Sequence, residues 1–289
     1  MTVTDIPTVN HDEAAVTALI HSIRIPPRPA LLADLQREID SPEPNIKSMA
    51  HIVEKDIALS GAFLKLVNSP HYQRSRKAET VEAALTGLGL NQVSLLASGF
   101  LVRESFRGKQ HQLADFWETS SRRSIAMAHL ARELRAGSPD LARSFGLFAD
   151  LGIPLLMERF DDYSETLRLA RDPMQTLPFT RLEDSRHQTN HALVGAMLGR
   201  NWQLPGDVVS AITHHHDDMA FVSDSISHPV RRLIALGIIS DVLVRSYTGL
   251  APDAEMLRAA PRAMEELGLG DDELDEISIA IHEAFDREG

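Results

Sequence analysis

Apolar residues recur at helical spacing along almost the whole chain. Leu31, Leu32, Leu35 and Ile39 share one face of a helix that Pro26, Pro27 and Pro29 introduce and Asp40-Ser-Pro-Glu-Pro44 ends. A second helix is predicted from near Asn45, carrying Ile46, Met49, Ile52 and Val53. A third runs from about Ile57 through Phe63, Leu64 and Val67, and breaks at Asn68-Ser-Pro70. A fourth spans 80–88, with Thr80 as its cap and Glu79 and Glu82 near its positive end, and a fifth begins around Asn91. After the polar, turn-like Arg107-Gly-Lys-Gln-His-Gln112, helices are expected near 113–136, 139–158, 160–171, 188–202, 205–216, 228–247, 253–266 and 272–286. Period-two alternation bounded by turns is missing, so no strand is predicted. There is no fixed-period repeat and no low-complexity tract.

The pattern therefore predicts an all-α protein of two packed helical lobes. An N-terminal extension covers 1–20, a helical bundle 21–108 and a second helical domain 109–289, with the boundary near 105–113. Leu31, Leu35, Ile52, Phe63, Leu64, Leu85 and Leu88 are the expected core of the first lobe. Leu130, Leu147, Leu155, Val194, Leu198, Ile212 and Leu236 are that of the second.

Composition narrows the function. The 289 residues suffice for one large or two modest domains, and 43% hydrophobic with 24% charged residues is ordinary for a globular protein. Zero Cys excludes disulfides, thiolate zinc sites and cysteine nucleophiles. No run reaches the ~18 apolar residues of a membrane span, and MTVTDIPTVNHDEAAV lacks the build of a secretory signal. Cytoplasm is the expected compartment, with no membrane partner. A net charge of −12 argues against broad nucleic-acid binding. The stretch before Ile23 is too short for a sensor or receiver domain, so regulation is expected to come through partners, ligand binding or transcription.

The chemistry concentrates in Ala211-Ile-Thr-His-His-His-Asp-Asp-Met219, three histidines followed by two aspartates. Histidine and carboxylate are the materials of a hydrolytic metal site. The order of motifs sharpens the question. Ile25-Pro-Pro-Arg-Pro, Ile52-Val-Glu-Lys-Asp-Ile-Ala-Leu-Ser, Phe63-Leu-Lys-Leu-Val-Asn-Ser-Pro-His-Tyr72 and Val81-Glu-Ala-Ala-Leu-Thr-Gly-Leu-Gly89 follow one another in the first half. Phe116-Trp117, Gly146-Leu-Phe-Ala-Asp-Leu-Gly152, His191-Ala-Leu-Val-Gly195, Trp202-Gln-Leu-Pro205 and the histidine run follow in the second. Over roughly residues 20 to 245 this succession resembles the HDOD domain, the HD-related output domain of bacterial signalling proteins.

That resemblance implies an HD-domain-like bundle in the second lobe. It also implies kinship with HD-type phosphohydrolases, including the HD-GYP cyclic dinucleotide phosphodiesterases, which hold one or two metals with His and Asp. Carried onto this chain, the ligand positions are incomplete. Ala149 stands where a His-Asp pair needs its histidine, leaving Asp150, and Thr119 stands at the early ligand after Phe116-Trp117. His191, His215, His216 and Asp241 match the later ligands. Alanine cannot coordinate, so the expectation is a vestigial site with no cofactor, no stoichiometric metal and no catalytic residue. Blander roles stand beside this one. Asp150 can simply bond a neighbouring amide or His, and His187 and His191 can be surface or core residues of one helix. Gly195 and Gly199 form a small-residue stripe suited to helix packing, and the triple histidine suits the negative end of a helix dipole.

No Gly-rich phosphate loop and no Gly-x-Ser-x-Gly elbow occurs. Asp161-Asp162 and Asp271-Asp272 read as helix starts, and 253–266 and the acidic 271–276 as solvated faces. The expected function is a non-catalytic signalling module that contacts an unidentified signalling protein. The alternatives are a sensor of a nucleotide-like ligand in the old cleft and a metal-dependent phosphohydrolase with an altered ligand set. The basic loop with Tyr72, Arg74, Arg76 and Lys77 is read either as a solvated connector or as an edge for an acidic partner, with Asn68 ending the preceding helix.

Overall fold

A computed structural model describes residues 30–55, 59–60, 63–64, 67–68, 78–89, 92–93, 96–97, 113–172, 174–201, 204–217 and 219–288. Among them there are helices and no strand. The first lobe contains α1 (Ala30–Ile39), α2 (Ile46–Val53) and α3 (Val81–Leu88). Asn45 starts α2 by accepting from Lys47 N at 2.9 Å and Ser48 N at 3.3 Å. Thr80 caps α3 as its sequence predicts, accepting from Ala83 N at 3.1 Å. Leu35, Met49, Val53, Phe63 and Leu85 are buried together, with Leu31, Ile52 and Leu64 packed against them at the edge. Each such side chain withdrawn from water contributes about 1.5–3 kcal/mol.

Asn68 does more than end a helix. Its Nδ2 donates to Ala78 O at 2.9 Å and its Oδ1 accepts from Ala78 N at 2.8 Å. The backbone it bonds lies ten residues on, so this side chain clamps together the two ends of the basic loop. Tyr72, Arg74, Arg76 and Lys77 themselves fall outside the described residues, as does the expected boundary apart from Leu113.

The second lobe runs α4 (Ala114–Glu133), α5 (Pro139–Phe148), α6 (Gly152–Arg159), α7 (Tyr163–Ala170), α8 (Phe179–His187), α9 (His191–Asn201), α10 (Gly206–His214), α11 (His228–Tyr247), α12 (Ala254–Leu267) and α13 (Asp271–Glu288). Leu130, Leu155, Val194, Leu198, Ile212 and Leu236 are buried in its core, and Leu147 packs against it half-buried. A hydrogen bond from Gln92 Nε2 to Asp140 Oδ1 at 2.6 Å joins the two lobes.

Two departures from the pattern matter for the site. The helix expected over 139–158 is two helices, broken at Ala149-Asp150-Leu151. Gly152 explains why the break holds its position. A Cβ there would lie 2.0 Å from His191 O, so the start of α6 rests directly on the backbone that opens α9. Gly146 does the same on the other side, where a Cβ would lie 2.8 Å from Ser124 Cα in α4. The Gly195–Gly199 stripe performs the expected packing, facing Gly152 and Ile212 from one glycine and Val209 and Leu204 from the other. The second departure is α8, a helix the apolar pattern does not reveal. It ends at His187, and Gln188 takes a left-handed conformation with φ of 58°, so His187 and His191 belong to different helices.

Candidate functional site

The close approaches at Gly146 and Gly152 bring α4, the α5–α6 turn and α9 together beside the end of α10 and the middle of α11. Five titratable side chains converge there. Asp150 comes from the turn, His191 from the first residue of α9, His215 and His216 from just beyond α10, and Asp241 from α11. These are the five residues predicted from the sequence. His214 faces away, half-exposed, with its Nδ1 3.7 Å from Asp217.

A sixth side chain, unforeseen, divides the group. Arg123 of α4 places Nη1 2.7 Å from Asp150 Oδ2 and Nε 2.5 Å from Asp241 Oδ1. Thr119 lies one turn earlier on the same helix, and both line the cavity together with Ala149. Arg123 is buried, which opposes its charge, but the two carboxylates outweigh burial and hold it firmly protonated. Burial likewise raises the Asp150 carboxyl, but the guanidinium together with His191 and His215 more than reverses this, holding it well below the ordinary carboxylate range.

On the other side of Asp150 the three imidazoles meet. His191 Nε2 lies 3.3 Å from His215 Nε2, 3.1 Å from His216 Nε2 and 3.4 Å from Asp150 Oδ1. His215 Nε2 lies 3.3 Å from the same carboxylate oxygen. Each ring is held from behind through Nδ1: His191 by Glu183 at 2.6 Å, His215 by Ile212 O at 2.8 Å and His216 by Glu255. Glu183 is fully buried and also accepts from the Tyr163 hydroxyl and from His191 N at 3.2 Å. Phe179 stacks on His191 with centroids 4.7 Å apart.

The electrostatics of these rings diverge. Burial disfavours the charged form of His191, but Glu183 and the bonds to Asp150 and Glu183 win and push it up to about 10. Burial, reinforced by His216, pulls His215 down to about 4. Burial raises Glu255, but the His216 imidazole overrides it and brings that carboxyl down to about 2. His187 stands apart, 2.7 Å from Thr166 Oγ1 and tilted against Phe160 and Tyr163.

Four participants thus escaped the sequence reading. Arg123 carried a signal, since it lies one helical turn after Thr119 on the face that Trp117, Ser120 and Ser124 also bury. Glu183 sat in a helix too polar to be noticed. Tyr163 looked like any aromatic of a helix start. Glu255 lay in a segment expected to be a solvated face, yet it turns inward to His216 and also accepts from Phe179 N at 3.0 Å. Asp162 precedes α7 but makes no side-chain cap; it accepts instead from Arg186 Nη2 at 3.1 Å. The residues 271–273 are exposed in the first turn of α13, as expected of helix-start carboxylates.

A metal of the kind implied by the phosphohydrolase resemblance finds only half of its donors here. Asp150, His191, His215 and His216 present one ligand atom each, all within 4.8 Å of one another. The Asp241 side offers Arg123, Thr119 and Ala149, a cation and no imidazole. Beside both halves opens a cavity of about 440 Å³ walled by Phe116, Phe145, Ile153, Met157, Phe179 and Ile238 among others. No helix among the described residues is long and apolar enough to cross a membrane.

The family model for the HDOD domain matches residues 25–218. A protein of Treponema pallidum (strain Nichols) is 24% identical over 195 residues, which is 67% of this chain but only 38% of that protein. A Marinobacter aquaeolei VT8 protein, provisionally named a signal transduction protein, superposes with a TM-score of 0.72 at 20% identity, over 98% of this chain and 66% of the other. An HDOD domain protein of Geobacter sulfurreducens superposes with a TM-score of 0.64 at 20% identity, over 96% and 99% of the two chains. At these identities the two structures speak for the fold alone.

Proposed function

Because the chain belongs to the HDOD domain family, we propose that it is a signalling module that works by contacting another protein and does not turn over phosphorus esters. The observation that carries this reading is Arg123, whose guanidinium lies between Asp150 and Asp241. Two-metal hydrolysis requires an ion on each side of a shared carboxylate, one to generate hydroxide and one to stabilise the leaving oxygen. A guanidinium carries permanent charge but has no exchangeable coordination position for water, so it neutralises the carboxylates without activating a nucleophile. Ala149 and Thr119 supply no imidazole to recruit an ion in its place. The provisional name of the Marinobacter aquaeolei relative agrees with a signalling role.

The purified chain, assayed with Mn²⁺, Fe²⁺ or Ni²⁺ against cyclic dinucleotides and phosphomonoesters, is expected to show no turnover above buffer. Turnover abolished by Asp150→Asn would reverse the reading in favour of a phosphohydrolase with an altered ligand set. The proposed docking edge is the loop bearing Tyr72, Arg74, Arg76 and Lys77, which Asn68 gathers at its base. Aromatic and Arg side chains are enriched at binding hot spots, and on a chain of net charge −12 this loop is the place for an acidic protein. Changing Arg74, Arg76 and Lys77 together to Glu is expected to abolish partner capture with the thermal midpoint intact. Unchanged capture would move the contact surface to the cleft between the lobes.

The cavity favours a second reading, a sensor for a nucleotide-like molecule. Its volume falls within the ~300–1,000 Å³ of small-molecule sites, and it combines apolar walls with a few converging polar groups. Calorimetric titration with mononucleotides and cyclic dinucleotides tests it, and heats no larger than dilution would remove it.

A further inference from the structure

The three histidines beside Asp150 turn one ring nitrogen each toward a common point. Each ring turns Nδ1 outward onto an acceptor, a carboxylate for His191 and His216 and a carbonyl for His215. A ring nitrogen bonded to an acceptor carries a proton, so a ring that gives up its other proton presents the Nε2 lone pair inward. Three such nitrogens and Asp150 Oδ1 then share one small volume. A single proton on one Nε2 can satisfy only one of the acceptors around it. The charges nearby favour a cation there, because Asp150, Asp241, Glu183 and Glu255 surround the cluster and Arg123 is the fixed cation set between the first two.

The four donor atoms, all within 4.8 Å of one another, lie close enough to share one ion. Bonds of ~2.0–2.1 Å from a tetrahedral zinc to imidazole nitrogen imply ligand–ligand edges of about 3.3–3.4 Å. Four of the separations in the cluster are 3.1, 3.3, 3.3 and 3.4 Å. The outward carboxylates and carbonyl are the partners that fix tautomer and ring orientation around metal-bound histidines. Three imidazoles and one carboxylate suit a divalent transition ion such as Zn²⁺ rather than Mg²⁺ or Ca²⁺, which prefer oxygen donors.

We propose that Asp150, His191, His215 and His216 bind one Zn²⁺-class ion as a closed, four-donor structural site, with the Arg123 guanidinium in place of a second cation. Four protein donors complete a tetrahedron, so the ion has no open position for water and adds no hydrolytic activity. Its role is to tie the α5–α6 turn, the start of α9 and the end of α10 to one another. Thr119 and Ala149, whose identities argued against any metal, are not needed for these four donors. The proposal stands whether or not the module signals through protein contacts.

The test starts from the full chain stripped by chelator and then loaded with Zn²⁺ or Co²⁺. The expected result is one equivalent of Zn²⁺ retained after gel filtration, a higher thermal midpoint than the stripped chain, and the intense visible absorption of tetrahedral Co²⁺. His216→Gln is expected to lose the retained ion and the Co²⁺ band, while His214→Gln keeps both. No retention by the unmodified chain, a weak octahedral Co²⁺ spectrum, or two retained equivalents would each overturn the proposal. These readings on the unmodified chain decide the matter even if a variant fails to fold.

Discussion

Among the described residues, every buried side chain of the first lobe is apolar, whereas the second lobe also buries Arg123, Arg143, Glu183, His187, His191, Thr166 and Ser240. The first lobe is a set of short helices whose stripes meet around Phe63 and Leu85. The second is larger and has used its size to surround charged groups that a small core could not hold. Apolar contacts are non-directional and tolerate exchange of similar volumes. A buried charge is stable only with its particular partners. The two lobes therefore differ in what a substitution does to them, and the second is where a change in one side chain is felt across several helices.

Arg123→Met should sharpen this contrast most. It leaves the half-buried Asp150 and Asp241 with no cation between them, and loss of one member of a fully buried ion pair costs about 3–5 kcal/mol, which is the upper bound here. Urea denaturation followed by far-UV circular dichroism reads the loss. Adding Asp150→Asn and Asp241→Asn to the same chain is expected to restore most of it, because the uncompensated charges are gone. A single variant as stable as the parent would show that the ion pairs do not hold the second lobe together.

Asn68→Ala tests the first lobe by its polar clamp. Two hydrogen bonds at ~0.5–1.5 kcal/mol each predict a loss of about 1–3 kcal/mol. Hydrogen exchange is expected to rise chiefly at Ala78, whose amide Asn68 binds. A rise spread evenly over both lobes would count against the clamp.

The smallest effect is on pH dependence, through His187. Burial lowers its pKa from the ordinary 6.5 in the folded chain, so the unfolded chain binds the proton more readily. Its contribution to stability is full above 6.5 and falls as pH drops below 6.5 towards the folded value. The difference in thermal midpoint between the parent and His187→Gln, followed from pH 8 to pH 5, should shrink on the acid side. A constant difference would mean that His187 is held by packing alone.

Much of the helical pattern and most of the candidate donors were legible in the sequence. Helical spacing revealed α1, α4 and α11, and the motif order singled out Asp150, His191, His215, His216 and Asp241. What escaped has a common cause. The helix α8 presents few apolar residues, so periodicity is silent there, and it carries the Glu183 that orients His191. Glu255 belongs to an acidic helix whose composition reads as solvent-facing. The break at Ala149-Asp150-Leu151 was hidden because apolar residues continue on both sides of it.

The sequence by itself determined the all-helical class, the apolar stripes, the caps at Asn45 and Thr80, and the absence of an imidazole at 119 and 149, because each depends on residues a few positions apart. Only the tertiary structure decided that Arg123 joins Asp150 to Asp241, 118 residues from its own position in the latter case. It alone brought His191 and His216 within 3.1 Å. Such meetings depend on how closely helices can approach, and here Gly146 and Gly152 allow backbone to rest on backbone. A buried charge finds its partner through that packing, and no local pattern in the chain records it.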